Sequence, residues 1–359
     1  MADNGLLPRE RVFTTLEHEE PDRVPLDTWM SNGTIILLCD HLGLSANTDP
    51  NGMWHEGILE RLRVDIRRPI PRYIGPALQT YSDGSWDTAL GIRRKGLGFG
   101  MAINHPLREI TEIEQIIEYP FPSPDWYDYN GMIRYCEQYS EYAFTGGSKF
   151  PLLHEACDLM GMERVMTNFF DAPELMHALF DKLLNVHMEI TKRWIEAAPA
   201  SIDILIVTDD YGASRDLLIS PTQWREFIKP NLQKIVDFGH LNGCKVMMHT
   251  DGAVRKIIPD LIEIGFDILN PIEPEAIGMD PVSIKRDFGE EIVLHGAASS
   301  LNLAKLTPKE IRAEVERLMK EVAPGSGYIL CPSNHIMPDM PIENVLELYD
   351  SAYELGRYN

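Results

Sequence analysis

Residues 201–251 read SIDILIVTDDYGASRDLLISPTQWREFIKPNLQKIVDFGHLNGCKVMMHTD and contain the pattern that decides the fold. The apolar runs Asp203 to Asp209 and Lys245 to His249 each predict a short strand. Between them, Ser220 followed by Pro221 predicts the start of a helix, and Gly243 predicts its end. Two strands joined by a helix run parallel in one sheet. This stretch therefore predicts an α/β fold with a parallel sheet.

The same alternation of strand and helix extends in both directions along the chain. Helix-start signals like the one at Ser220 recur at Thr307-Pro308 and in the segment Asp171 to Glu174. Eight candidate strands result, namely Arg23 to Thr28, Arg63 to Arg68, Tyr142 to Gly146, Asp203 to Asp209, Lys245 to His249, Phe266 to Pro271, Glu291 to Gly296 and Gly327 to Pro332. Eight such units predict closure into a TIM (β/α)8 barrel, with an open doubly wound sheet as the alternative.

The chain is longer than a minimal barrel, which needs about 250 residues. The surplus of the 359 residues lies mainly between Met30 and Ser140, where Trp86 to Met101 predicts an inserted β-hairpin. The residues before the first strand predict an N-terminal extension. Because no stretch has the composition of an interdomain linker, we expect a single domain over residues 1–359.

Composition and charge limit the classes of function. The chain has 33 Lys and Arg residues against 55 Asp and Glu residues, a net charge of −22, which argues against nucleic-acid binding. Its five cysteines form no C-x-x-C pair, which argues against a disulfide framework or a standard zinc finger. No apolar run approaches the roughly 20 residues of a membrane-spanning helix, and no secretory signal is evident. We therefore expect a cytoplasmic protein that does not enter a membrane.

Polar residues at the ends of the predicted strands are the candidates for chemistry, because the active site of a barrel lies at the carboxyl ends of its strands. In chain order these residues are Asp27, Arg67, Arg68, Asp209, Asp210, His249, Thr250, Asp251, Asn270, Glu273, His295, Cys331, Asn334 and His335. Each of them ends or follows an apolar run. Their convergence predicts a site for a small molecule.

Three acidic residues and one histidine among these candidates have the chemistry of a metal or proton-transfer site. His249 and Asp251 are two residues apart on an extended segment, so both side chains can reach one metal ion or one substrate group. Asp209 and Asp210 could hold a cation or transfer a proton. Since neighbouring residues of a strand point to opposite faces, we expect only one of these two carboxylates to face the pocket.

Arg67 and Arg68 form a basic pair near the end of the second predicted strand. The guanidinium group is suited to a two-point grip on a carboxylate or phosphate. The position predicts that these arginines anchor an anionic group of the substrate, with a solvated face that balances nearby acidic residues as the alternative.

Four segments together resemble the uroporphyrinogen decarboxylase superfamily. They are RERVFTTLEHEEPDRVPLD near the start, TDDYGASRDLLISPTQWREFIKP, VMMHTDGAVRKIIPDLIEIGFDILNPIEPEAIGMDPVSIKRDFGEEIVLHGA and PGSGYILCPSNHIMPDMPIEN. The resemblance extends over most of the chain and keeps the order of the segments. It implies a TIM barrel, in agreement with the count of strands, and it suggests a homodimer.

The superfamily includes two chemistries. The decarboxylases have an arginine-rich loop after the first strand that grips substrate propionates, whereas VPLDTWMSNGTI in this chain has no arginine. The corrinoid-dependent methyltransferases bind zinc through an H-x-C pair and a later cysteine. This sequence keeps His249, but has Asp251 in place of the first cysteine and Asn334 in place of the second. In character it resembles the methyltransferase branch more than the decarboxylases.

The resemblance therefore implies a methyltransferase that moves a methyl group between a small methoxy-type substrate and a corrinoid, which a separate corrinoid protein could carry. The predicted catalytic residues are Asp209, His249, Asp251 and His335. The candidate ligands of a zinc ion are His249, Asp251 and Cys331. The predicted substrate-binding residues are Asp27, Arg67, Arg68, Asp210, Asn270, Glu273 and Asn334.

Two other functions remain open from the sequence. One is a decarboxylase of a carboxylated tetrapyrrole, in which Asp27 or Asp209 stabilises a protonated ring while Arg67 and Arg68 hold carboxylates. The other is a non-catalytic barrel that binds a small ligand at its mouth. The fold alone does not choose among these functions, since one barrel supports many reactions.

Overall fold

The structure is a computed structural model that describes residues 5–45, 48–96, 100–199 and 201–358. Seven strands form a parallel sheet, namely β1 (Ile66–Arg67), β7 (Ala143–Gly146), β8 (Ile204–Thr208), β9 (Lys245–His249), β10 (Ile268–Ile272), β11 (Val293–Ala298) and β12 (Tyr328–Pro332), side by side in that order. Five short strands lie outside it, namely β2 (Arg72–Tyr73), β3 (Trp86–Asp87), β4 (Arg93–Lys95), β5 (Met101–Ala102) and β6 (Tyr127–Asp128). The predicted parallel α/β architecture is confirmed.

Residues 25–27 close the sheet into a barrel between β12 and the residues that precede β1. The backbone N–H of Leu330 donates to the carbonyl oxygen of Pro25 over 3.0 Å, and that of Asp27 donates to Leu330 over 2.9 Å. On the other side, the N–H of Asp65 donates to the carbonyl oxygen of Leu26 over 2.8 Å. The first predicted strand thus takes the eighth place, but as an isolated bridge rather than a ladder. Pro25 has no N–H to donate, which limits the ladder there.

A buried ion-pair network fixes this closing segment. The carboxylate of Asp65 accepts hydrogen bonds from Arg11 over 2.6 Å and from Arg23 over 2.8 and 2.9 Å. It also accepts the backbone N–H of Leu26 over 2.8 Å. These three side chains are at most 6% exposed. The charge of Asp65 therefore joins the N-terminal helix, the closing segment and the start of β1.

Helices follow the strands of the barrel and pack around it. The helices are α1 (Pro8–Leu16), α2 (Asn32–Leu42), α3 (Glu56–Arg61), α4 (Ile113–Glu118), α5 (Asn130–Gln138), α6 (Leu152–Met160), α7 (Met162–Asp171), α8 (Pro173–Ala197), α9 (Pro221–Gln223), α10 (Lys229–Leu241), α11 (Ile258–Ile264), α12 (Pro281–Phe288), α13 (Ser300–Lys305), α14 (Pro308–Glu321) and α15 (Ile342–Leu355). A π-helical turn, Trp224–Ile228, joins α9 to α10 just before Pro230, whose ring removes one helical N–H.

The predicted inserted hairpin is a three-stranded antiparallel sheet. β3 pairs with β4, and β4 pairs with β5, so the insertion contains one strand more than a hairpin. Residues 97–99 of the predicted hairpin lie outside the described residues. None of the helices that the structure describes is both long and apolar enough to cross a membrane.

Candidate active site

The carboxyl ends of β7, β8, β9 and β10 form one continuous side of the barrel mouth. The N–H of Thr208 donates to the carbonyl oxygen of Lys149 over 2.6 Å, and that of Asp209 donates to His249 over 3.0 Å. The N–H of Thr250 donates to Asn270 over 2.8 Å. Because these parallel strands end at the same face, the side chains that follow them converge there.

A buried chain of hydrogen bonds, the Asp27–His249 chain, runs beneath the mouth. Asp27 Oδ2 lies 2.8 Å from His295 Nε2, and His295 Nδ1 lies 2.5 Å from Asn270 Nδ2. Asn270 Oδ1 lies 2.5 Å from His249 Nδ1. The four residues are at most 8% exposed. Direct side-chain hydrogen bonds therefore link the closing segment to β9, β10 and β11.

The charge of Asp27 sets the direction of this chain. A carboxylate only accepts hydrogen bonds, so His295 donates from Nε2, and the neutral imidazole then accepts at Nδ1 from the amide of Asn270. The oxygen of Asn270 is left to accept the Nδ1–H of His249. Nδ1 of His249 is thus engaged by Asn270, and its Nε2 lies 3.9 Å from Asp251 Oδ1.

The protonation states that this argument needs follow from burial and from Arg68. Burial acts to raise the pKa of the Asp27 carboxyl, but the charge of Arg68 and the hydrogen bonds from His295 and Arg68 outweigh it and lower the pKa. Burial lowers the pKa of His295, which keeps its imidazole neutral. Arg68 forms a two-point ion pair with Asp27 and packs over the ring of Trp54 at 4.5 Å.

Three side chains above the Asp27–His249 chain form the His249 cluster, made of Asp210, His249 and Asp251. One ligand atom of each lies within 4.8 Å of the others. Among the described residues, the buried Oδ1 of Asp251 has no hydrogen-bond partner. Burial raises the pKa of the Asp251 carboxyl, and His249 acts in the opposite direction. An imidazole nitrogen and two carboxylates form a donor set that suits a divalent metal ion.

Residues beside the His249 cluster orient its members. Asn334 Nδ2 donates to Asp251 Oδ2 over 3.1 Å, so the side chain that replaces the second cysteine holds Asp251. Trp29 stacks on His249 with ring centroids 4.7 Å apart, and His335 packs edge-on against Trp29 at 5.3 Å. Burial lowers the pKa of His335 to about 4, so this imidazole is neutral at neutral pH.

The two adjacent aspartates at the end of β8 point in different directions, as expected from strand geometry. Asp210 belongs to the His249 cluster and accepts the N–H of Asp251 over 3.0 Å. Asp209 instead accepts the N–H groups of Leu153 and His154, over 2.7 and 2.9 Å, in the first turn of α6. The structure therefore does not bring Asp209, a predicted catalytic residue, into the cluster.

The two adjacent arginines are separated in the same way. Arg67 is fully buried, donates to Glu56 over 2.6 Å and lies over the ring of Tyr142 at 3.6 Å. Arg68 is engaged by Asp27, which has no exposed surface. Both arginines and Asp27 are thus occupied by protein groups. The prediction that they bind substrate directly has no support in this geometry, and the alternative of a solvated face is wrong, because both arginines are buried.

Cys331 is not placed with His249 and Asp251, so the predicted ligand set is not assembled. The thiol groups with Asp27 and His295 instead, and burial raises its pKa well above the ordinary value. Asp210 takes the third position of the cluster. Glu273 accepts the N–H of Gly252 over 2.7 Å.

Two groups at the mouth were not predicted from the sequence. Trp29 lies two residues after Asp27, a spacing that places both side chains on one side of an extended segment. Lys149 is the first charged residue after β7, beyond two glycines. The scan for polar strand ends missed it because β7 itself ends on Thr145 and Gly146.

Comparison with known proteins assigns the chain to a family. A family model described as uroporphyrinogen decarboxylase (URO-D) matches residues 100–355, which is well over half of the chain. The chain belongs to the uroporphyrinogen decarboxylase family. This agrees with the superfamily resemblance of the sequence.

Relatives within the family are distant in sequence. A uroporphyrinogen decarboxylase of Alkalilimnicola ehrlichii is 25% identical over 376 residues, covering 99% of this chain and 96% of the relative. One from Geobacter sulfurreducens is 25% identical over 278 residues, covering 72% and 74%. The solved structure of a methyltransferase from Methanosarcina mazei superposes with a TM-score of 0.72 at 20% identity, covering 97% of this chain and 99% of that one. At this identity the superposition supports the fold.

Proposed function

We propose that this protein is a methyltransferase that moves a methyl group between a small methoxy-type substrate and a corrinoid. The observation that carries the proposal is the His249 cluster, in which the imidazole of His249 and the Oδ1 of Asp251, which lacks a hydrogen-bond partner among the described residues, lie together at the mouth. Such a pair suits the polarisation and protonation of an ether oxygen. The methyltransferase from Methanosarcina mazei, whose fold is similar, supports this choice.

A divalent metal ion, with zinc as the candidate, fits the donors of the cluster. His249 Nε2, Asp251 Oδ1 and an oxygen of Asp210 would hold it, which leaves an open position as in catalytic zinc sites. The fit rests on the buried Oδ1 of Asp251, which lacks a protein partner among the described residues. A bound metal ion would act as a Lewis acid on the substrate oxygen. Asn334 and Asn270 would orient two of the three ligands.

The residues of the mouth also account for proton transfer. When the bond between the methyl carbon and the ether oxygen breaks, the leaving oxygen needs a proton or an equivalent positive charge. Without a metal ion, Asp251 would supply the proton, because burial raises the pKa of its carboxyl; with a metal ion held by Asp251, the metal would supply the positive charge instead. A corrinoid, when bound, would supply the nucleophile that takes the methyl group. The corrinoid protein and the homodimer remain proposals of the same kind.

Decarboxylation of a tetrapyrrole is the competing function, since the curated relatives carry that name. It would require groups that bind several carboxylates and a carboxylate that meets the substrate ring. Arg67 and Arg68 are held by Glu56 and Asp27, and Asp27 is fully buried. The mouth therefore fits a small substrate better than a polycarboxylated macrocycle.

The test is methyl transfer to chemically reduced corrinoid from a panel of methoxy compounds, run beside a uroporphyrinogen decarboxylation assay. We expect methyl transfer in the wild-type protein and a loss of about 100-fold or more in His249→Gln and Asp251→Asn. His240→Gln is the matched control, because His240 is a half-exposed histidine bonded only to Asp267. Elemental analysis of each variant measures whether the bound metal is lost when the side chain that would hold it is replaced.

The outcomes separate the candidate functions. Decarboxylation of uroporphyrinogen without methyl transfer would replace the proposal by the decarboxylase. Tight ligand binding without turnover of any compound would favour the non-catalytic barrel. Metal content that stays unchanged in both His249→Gln and Asp251→Asn would remove the metal site from the proposal.

A further inference from the structure

Lys149 is a cation of the barrel mouth with no protein partner. Its side chain is exposed, and within the described ranges its ammonium group has no hydrogen bond and no ion pair. Exposed lysines elsewhere in the described residues, such as Lys192, Lys309 and Lys320, also lack an ion pair, so what distinguishes Lys149 is its position at the barrel mouth. A lysine that stabilised the fold there would be expected to pair with a carboxylate.

The backbone around Lys149 is fixed in a conformation that costs free energy. Lys149 and Phe150 have φ of 67° and 52°, the left-handed region that side chains disfavour. The N–H of Phe150 donates to the carbonyl oxygen of Ser148 over 2.9 Å, which closes a tight γ-turn at Lys149. Strain of this kind is retained mainly at functional sites.

Neighbouring elements hold the turn in place. Ser148 Oγ lies 2.7 Å from His187 Nδ1, and His187 Nε2 lies 2.8 Å from Glu155. The N–H of Thr208 donates to the carbonyl oxygen of Lys149 over 2.6 Å, and the ring of Phe150 is fully buried. The main chain of Lys149 is therefore rigid while its side chain remains accessible.

The electrostatic surroundings of the ammonium group agree with a position at the barrel mouth. Desolvation by the surrounding protein lowers the pKa of Lys149, and Arg68 lowers it further. Lys149 in turn is one of the charges that lower the pKa of His335. Lys149 follows β7 at the carboxyl end of the barrel strands, and its carbonyl oxygen accepts the N–H of Thr208 at the end of β8, so the residue lies at the mouth. Its charge there is uncompensated, which is unfavourable without a ligand.

The mouth has two sides of opposite charge. Lys149 follows β7, whereas His249 and Asp251 follow β9, two strands away. At the spacing of neighbouring strands this separation is about 10 Å, the length of one small molecule. Asp210 and Asp251 form the acidic side, where the proposed reaction takes place.

We infer that Lys149 binds a carboxylate of the substrate and so selects small methoxy compounds that carry an acid group at the end remote from the methyl group. The inference rests on the proposed function for the identity of the reacting group. The binding of the carboxylate itself does not depend on methyl transfer. Because a charge-assisted hydrogen bond is among the stronger polar contacts, the carboxylate should contribute much of the affinity.

The experiment measures binding by calorimetry in the absence of corrinoid. The probes are methoxyacetate and 4-methoxybenzoate, each beside its neutral amide, with inorganic phosphate as a second anion. We expect the wild-type protein to bind at least one acid about 10-fold or more tightly than its amide. Lys149→Met should abolish this preference, and Lys149→Arg should keep part of it. Lys320→Met is the matched control, because Lys320 is exposed on α14.

The outcomes test carboxylate binding by Lys149 independently of methyl transfer. An unchanged preference in Lys149→Met, no preference in the wild-type protein, or tighter binding of phosphate than of either acid would overturn the inference. If Lys149→Met fails to fold, Lys149→Gln replaces it, with circular dichroism as the check. Lys149-dependent binding of an acid without methyl transfer would keep the inference and reject the proposed function.

Discussion

Asn270 donates to His295 and accepts from His249, both over 2.5 Å, in the interior of the barrel. Replacing it by alanine leaves the Nδ1 atoms of both imidazoles without a partner and no longer fixes the tautomer of His249. We expect Asn270→Ala to weaken metal binding by about 10- to 100-fold and to destabilise the fold by about 1–3 kcal/mol. Metal titration and urea unfolding measure the two effects.

The control for this variant is Asn231→Ala. Asn231 is also buried, at 5% exposure, and donates to Phe227 over 3.0 Å in α10. Its removal should destabilise the fold to a similar degree but leave metal affinity unchanged. Equal loss of metal affinity in both variants would contradict a specific role of Asn270.

His335 gives the protein a predictable dependence of stability on pH. Burial lowers its pKa to about 4 in the folded state, against about 6.5 in the unfolded chain. Between these values the unfolded chain binds the proton more strongly, so the stability present above about pH 6.5 is lost as the pH falls towards 4. In His335→Gln we expect a smaller loss of unfolding free energy over this range.

Urea unfolding across that pH range measures the difference between the slopes of wild type and variant. His41→Gln, which changes an exposed histidine of α2, should keep the wild-type slope. A wild-type slope in His335→Gln would show that His335 does not titrate as its burial implies.

The sequence identified part of the site at the residue scale. The spacing of His249 and Asp251 correctly placed both side chains together, because alternate residues of an extended segment share a face. The same rule separates Asp209 from Asp210 but cannot say which one faces the mouth. The bond from Asp209 to the first turn of α6 decides this, and it depends on the tertiary packing of α6.

At the scale of elements, the turn between β7 and α6 combines strain with an accessible charge. Replacing Lys149 by glycine removes the Cβ that disfavours a φ of 67°. We expect Lys149→Gly to be more stable than Lys149→Ala by about 0.5–1 kcal/mol, since both variants lack the charge and only alanine keeps the strain. Thermal or urea unfolding of the pair measures this difference.

One outcome of this comparison would contradict the expectation. Equal stability of Lys149→Gly and Lys149→Ala would mean that the turn relaxes and stores no strain. The inference on carboxylate binding would then lose its argument from backbone conformation, although the unpartnered charge would remain.

Element boundaries follow from the sequence less well than element types. The helix after Ser220 begins where its capping box predicts, with Ser220 Oγ accepting the N–H of Gln223. The π-turn before Pro230 was not predicted, because the apolar spacing of that helix is continuous. The third strand of the insertion was also not predicted. Met101–Ala102 is too short to show a period of its own.

At the scale of the whole molecule, closure of the barrel depends on one buried carboxylate. Asp65 accepts from Arg11 and Arg23 and from the backbone of Leu26. Removing its charge leaves two buried guanidinium groups without compensation. We expect Asp65→Asn to destabilise the fold by about 3–5 kcal/mol, measured by urea unfolding.

Asp22→Asn provides the comparison, because Asp22 also pairs with Arg11 but its side chain is 23% exposed. We expect a smaller loss of stability from this variant, since solvent screens the pair. If Asp65→Asn were no more destabilising than Asp22→Asn, the network around Asp65 would not be what holds the closing segment.

The barrel itself was predictable from the count of strands, whereas the way it closes was not. Eight apolar runs alternating with helices indicate eight places around a ring. The sequence does not reveal that Pro25 and the side chain of Asp65 replace part of a regular ladder at one of them. Long-range pairs of this kind leave no local period in the sequence.

The closing segment also has a consequence for synthesis on the ribosome. Residues 25–27 emerge well before Leu330, which pairs with Leu26 from about 300 residues further along the chain. The nascent chain therefore carries an open sheet edge and an unfilled ring position until the last strand is released. Such an edge is a target for chaperones and for aggregation, because its backbone groups lack partners. Closure of the barrel therefore waits for the synthesis of β12, although most of the strand–helix units are local.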